Sequence, residues 1–189
     1  MSAATIGGDH QRRRVVQGTD VRRLGLAVAR LAAAAWVGAA ALFVVTAVRE
    51  VTFPAFDSTT KEQLALLRFP AYYVCGFALV GVAFLGALVA SLGSRPRPKK
   101  VAVAAGLLAV TLILMAGDFL AVYRPIAEMI TPPGRVHVSQ FHDYHRASVW
   151  LNVGHVGLCA AAAVLLCWPS GRTEVAGGRT AVADGRGVE

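Results

Sequence analysis

AYYVCGFALVGVAFLGALVASL, residues 71–92, contains no Asp, Glu, Lys or Arg. The hydrocarbon layer of a bilayer is about 30 Å thick and each helical residue rises about 1.5 Å, so about 20 apolar residues suffice to cross it. This stretch therefore reads as a membrane-spanning helix. Three more stretches have the same character: residues 24–48 with Arg30 as the only charge, 101–123 with Asp118 as the only charge, and 149–168 with Asn152 and His155. The expected fold is all-α, a polytopic membrane protein built as an antiparallel bundle of four transmembrane helices over residues 24–168. Residues 1–23 and 169–189 are rich in Gly, Arg, Ala and Thr without apolar periodicity, and are expected to be disordered basic tails.

Composition agrees with this reading. Hydrophobic residues make up 56% of the 189-residue chain, and its mean hydropathy is +0.55. Both are too high for an ordinary soluble domain. The formal net charge of +8 comes from short basic clusters outside the apolar runs, the usual placement of Lys and Arg in membrane proteins. Nucleic acid is therefore excluded as a partner; the partner is the lipid bilayer, with a homo-oligomer left open. Cys75, Cys159 and Cys167 fall inside apolar runs without paired spacing, so they are expected to be small buried hydrophobes.

The first apolar run is longer than the about 7–15 residues of a cleavable signal core, and reads as a retained anchor. Arg12, Arg13 and Arg14 resemble a twin-arginine signal, but a further charged stretch separates them from the apolar run. A solvated basic tail is the expected reading. Counting Arg30 with the tails and the second connection, thirteen Lys and Arg lie on one side and six on the other. The positive-inside rule then places both termini in the cytoplasm, and the location is a bacterial plasma or inner membrane. The turn Arg95-Pro96-Arg97-Pro98 is short enough to make the second and third spans antiparallel neighbours.

The two longer connections then lie outside. In the first, Thr59 and Glu62 have capping-box spacing ahead of Leu64, Leu66 and Leu67, which predicts a short interfacial helix leading into the second span. In the third, Thr131-Pro132-Pro133-Gly134 ends any continuation of the third span, and Ser139 is placed to cap a helix running into the fourth. On that helix His145, Ser148, Asn152, His155 and Cys159 are spaced by three and four residues and form one stripe. Polar groups facing lipid are costly, so the stripe is expected to face the bundle interior. Asp118, about 9 Å deep by the helical rise, lies at matching depth.

The expected polar pocket thus comprises His145, Ser148, Asn152, His155 and Asp118. Candidate partners for Asp118 include His155, Asn152, Tyr72 and Tyr73; Arg49, Glu50, Tyr72 and Tyr123 are expected at the pocket rim. Gly154 and Gly157, on other faces, are expected to admit a neighbouring helix closely. Two readings remain beside each other: interhelical hydrogen-bond glue, or a site for a ligand, ion or proton. A metal reading also stands as an alternative, with copper or zinc held by His142, His145 and Asp143 near His137, although no His-Glu-x-x-His signature is present. The first three spans contain no histidine, which counts against haem held between facing helices. The chain has no nucleophile-base motif, no phosphate-cradling loop and no pair of intramembrane carboxylates, so it is expected to be no enzyme.

Trp36-Val37-Gly38 with Phe43, the outer Phe53-Pro54-Ala55-Phe56, Tyr123-Arg124-Pro125, and His145-x-x-Ser148-x-x-x-Asn152 occur in that order. Over about residues 30–168 the chain resembles the transmembrane protein 205-like family, also called domain of unknown function 4149. The resemblance implies a four-span membrane architecture and gives weight to His145, Ser148 and Asn152 as a unit. It implies no biochemistry. The family's spans are also distantly similar to copper-resistance membrane domains, an analogy of fold alone.

Overall fold

A computed structural model describes residues 6–92, 99–134 and 140–169, with side chains from Asp20 onward. Its elements are α1 (Ile6–Thr52), α2 (Ser58–Leu92), α3 (Lys99–Asp118), a π-helical turn (Phe119–Tyr123), α4 (Arg124–Met129) and α5 (Gln140–Cys167). Four helical stretches are long and apolar enough to cross a membrane: Asp20–Thr52, Ser58–Leu92, Lys99–Met129 and Gln140–Cys167. The chain is a four-helix integral membrane protein.

The helices run antiparallel to their neighbours. Gly25 near the start of α1 meets Gly86 near the end of α2, whereas Glu50 at the far end of α1 pairs with Arg68 near the start of α2. Likewise Asp118 at the end of α3 bonds Asn152 in the first half of α5, and Arg30 of α1 bonds the Leu166 carbonyl at the end of α5. The bundle therefore closes as a ring in the order α1, α2, α3, α5. It has a basic end, with Arg22, Arg30, Lys99 and Lys100, and a loop end, where the first and third connections lie.

Away from the aromatic layer the interior is rich in alanine, and many large apolar side chains face outward. Ala29, Ala33, Ala40, Ala83, Ala87, Ala104 and Ala162 are buried, while Leu31, Leu67, Ile113 and Trp150 are more than two-thirds exposed. In water such an apolar surface would drive association. In lipid it costs nothing, and small interior residues let helices approach and gain dispersion contacts. The backbones of α1 and α2 approach closely where a Cβ added to Gly86 would stand 2.7 Å from the Gly25 carbonyl oxygen. By contrast Gly154 and Gly157 have no atom within 4 Å of an added Cβ. Expected at a helix contact, they instead face outward, because α3 and α1 pack on the other sides of α5.

Several other expectations change. The backbone is helical from Ile6, so residues 6–23 continue α1 and do not form a separate tail; no proline occurs before Pro54 to stop the helix. The first connection contains no separate interfacial helix, since α2 runs unbroken from Ser58 through Pro70 to Leu92. Its cap is Asp57, whose Oδ1 accepts the Thr60 N–H at 2.8 Å. Hydrogen bonds from Thr60, side chain and backbone, hold the Asp57 carboxyl below the ordinary carboxylate range. Cys75 and Cys167 lie on the outward face, and only Cys159 is buried. The Arg95–Pro98 turn, His137, Ser139 and residues 170–189 lie outside the described residues.

Glu62, freed from the capping role, reaches the third connection. Its Oε2 accepts the Gly134 N–H at 2.7 Å, and the carboxylate is buried. Gly134 has φ +88°, a conformation that strains any residue with a Cβ. We expect Gly134→Ala to lower bundle stability by about 1 kcal/mol, with Gly134→Asn milder because Asn tolerates that conformation. Unfolding midpoints in a dodecyl sulfate titration of the detergent-solubilised protein check this.

Candidate functional site

At the loop end of the bundle, four helices each contribute polar or aromatic side chains to one layer. α2 supplies two adjacent tyrosines about 100° apart on the helix. Tyr72 faces α1 and α5, against Trp36 at 4.9 Å and Phe43 at 4.3 Å between ring centroids. Tyr73 faces α3, against Phe119 at 5.1 Å and Tyr123 at 5.2 Å. The π-helical turn after Asp118 widens the helix locally, and Phe119 and Tyr123 stack on one another at 5.6 Å within it. Such turns frequently mark functional positions.

Asp118 is fully buried. Its Oδ2 accepts the Tyr73 hydroxyl at 2.7 Å and Asn152 Nδ2 at 2.8 Å. Asn152 is the hub: Nδ2 also donates to the Ser148 carbonyl at 2.9 Å. Its Oδ1 accepts the Tyr72 hydroxyl at 2.8 Å and lies 3.2 Å from His155 Nε2. An amide oxygen only accepts, so His155 must carry its proton on Nε2. Its Nδ1 is then a bare acceptor. Trp36 stacks over the imidazole, with centroids 6.4 Å apart and planes 21° apart.

Three buried polar atoms of this layer have no partner at hydrogen-bond geometry: Asp118 Oδ1, His155 Nδ1 and Trp36 Nε1, although the Ser148 hydroxyl lies beside the Asp118 carboxyl. Two are acceptors and one is a donor. They belong to α3, α5 and α1, so no single helix can satisfy them.

The structure brings together Asp118, Ser148, Asn152 and His155 with Tyr72 and Tyr73, and Cys159 continues the stripe with its Sγ 3.9 Å from the Ala33 carbonyl. It does not bring in His145. That residue is exposed, and its ring stacks on Phe141 with centroids 6.1 Å apart. Of the rim residues, Tyr72 and Tyr123 join the layer, Arg49 is exposed, and Glu50 pairs with Arg68. The Arg68 guanidinium lies 4.9 Å from the Phe43 ring centroid, so an aromatic and ionic cover separates the polar layer from the loops. Tyr73, expected among the candidate partners of Asp118, does bond it; Trp36 was the least legible member, since it sits in an apolar run and stood out only in the ordered motifs of the family resemblance.

Two further differences concern the nature of the site. The layer is packed by its own rings, whereas a pocket was expected. One cleft lies at the basic end, and an apolar groove runs beside Gly25 and Gly86. His142, Asp143 and His145 are exposed near the start of α5, and among the described residues no three His, Cys, Asp or Glu side chains gather as a metal-binding group. Comparison with family models, curated proteins and solved structures found no match.

Proposed function

We propose that this chain is a non-enzymatic membrane protein whose working centre is the Asp118–Asn152–His155 layer, and that the centre exchanges a proton. Membership of the transmembrane protein 205-like family belongs to the same proposal, resting on the ordered motifs from Trp36 to Asn152. On the positive-inside count, the centre lies in the outer half of the membrane.

The observation that carries this reading is the set of unpartnered atoms. A hydrogen-bond network kept only as glue satisfies its members, since each buried unpaired group costs about 1–3 kcal/mol. Here a carboxylate oxygen and an imidazole nitrogen, the two groups in the layer able to take up a proton readily, are left bare beside Trp36 Nε1. Asn152 bridges them, holding Asp118 through Nδ2 and the His155 tautomer through Oδ1. The rings that pack the layer suit the exchange of a proton, alone or carried by water.

Trp36 reports on the centre, because imidazolium quenches a stacked indole. In full-length protein carrying Trp150→Phe and Trp168→Phe, reconstituted in bilayers, Trp36 emission should fall reversibly on acidification. His155→Gln should abolish the change and Asp118→Asn should displace it along the pH axis. Emission that ignores pH in a folded protein would remove the proposal.

A further inference from the structure

At the basic end a cleft of about 250 Å³ opens between α1, the start of α3 and the end of α5. Arg22, Arg30, Lys99 and Lys100 line it together with Leu165 and Trp168, and among the described residues no carboxylate lines it. Four cations brought around one cleft repel one another unless an anion lies between them. Arg30 is the most informative of them. It sits within an apolar span, where an ionised side chain is costly. Its Nε donates to the Leu166 carbonyl at 2.7 Å, capping the C-terminal end of α5 with a neutral partner. That bond fixes the guanidinium plane within the cleft wall and leaves the Nη groups for a second acceptor.

We propose that this cleft binds the phosphate of an anionic phospholipid. The cleft lies where the membrane-spanning stretches of α1, α3 and α5 end, the level at which lipid phosphates lie. Trp168 is 60% exposed beside it, as expected of an aromatic ring at the membrane interface. Apolar Leu165 and the exposed Val103 and Val164 continue outward along the same helices, a path for acyl chains that a soluble phosphate would not use. Basic clefts between spans recognise lipid headgroups by this chemistry. The inference is independent of the Asp118 centre.

The test is lipid retention by the full-length protein, measured by native mass spectrometry from detergent containing phosphatidylglycerol or phosphatidylcholine. Retention of phosphatidylglycerol over phosphatidylcholine is expected. Arg22→Gln combined with Lys100→Gln, both at exposed positions, should weaken it about thirtyfold. Arg146→Gln, an exposed cation at the loop end, should leave it unchanged. Equal retention of the two lipids, or equal loss with Arg146→Gln, would overturn the proposal. A third arm adds inorganic phosphate: displacement of the lipid by phosphate alone would assign the cleft to soluble phosphate and overturn the lipid assignment.

Discussion

Asn152→Ala is expected to lower the stability of the bundle by about 2 kcal/mol or more, measured as the shift in unfolding free energy in a dodecyl sulfate titration. The single amide bonds Asp118, Tyr72, the Ser148 carbonyl and His155, so its removal leaves several groups short of a partner at once. A hydrogen bond between membrane helices contributes about 0.6 kcal/mol on average, but an orphaned buried group costs about 1–3 kcal/mol. The Tyr72 hydroxyl and the His155 Nε2–H dominate the sum, because both lose their acceptor, whereas Asp118 Oδ2 keeps the Tyr73 hydroxyl. A double-mutant cycle with Tyr72→Phe should return a coupling of about 0.6–1.7 kcal/mol. Zero coupling would mean that Tyr72 and Asn152 do not meet.

Gly76→Ala should destabilise by about 1–3 kcal/mol through overpacking. An added Cβ at Gly76 would stand 2.3 Å from Met115 Cε and 2.7 Å from Trp36 Cη2. The methionine end can move, but the indole is wedged between Tyr72 and His155. Met115→Ala should therefore rescue Gly76→Ala only in part. The residual cost belongs to Trp36, and should appear as a changed Trp36 emission in protein carrying Trp150→Phe and Trp168→Phe. Full rescue by Met115→Ala, with unchanged emission, would show that the indole is not held as described.

The four spans were legible because the signal is additive: long apolar runs bounded by charge need no knowledge of neighbours. The stripe from Ser148 to Cys159 was legible for a related reason, since helical period alone places those residues on one face. What the period lacks is an end. His145 continues the stripe in sequence, but its own face of α5 is uncovered, and the residue is exposed.

Close packing was not legible, because it belongs to pairs of helices. Gly154 and Gly157 are as small as Gly25, Gly76 and Gly86, and only the last three meet another helix. The cap of α2 shows the same limit. Thr59 and Glu62 have the right spacing, but Asp57 takes the cap and Glu62 is drawn to Gly134. The π-helical turn at Phe119–Tyr123 shifts the helix phase after Asp118, so the placement of Tyr123 against Tyr73 has no counterpart in the regular helical period.

Nitrogen-15 solid-state NMR of His155 in bilayers tests the central claim most directly, in protein where His10, His137, His142 and His145 are replaced by Gln. The hydrogen bond to Asn152 Oδ1 predicts a protonated Nε2 and a bare Nδ1 at neutral pH, with Nδ1 taking up a proton reversibly on acidification. A bare Nε2 at neutral pH, or an Nδ1 resonance that acid leaves unchanged in the folded bundle, would contradict it.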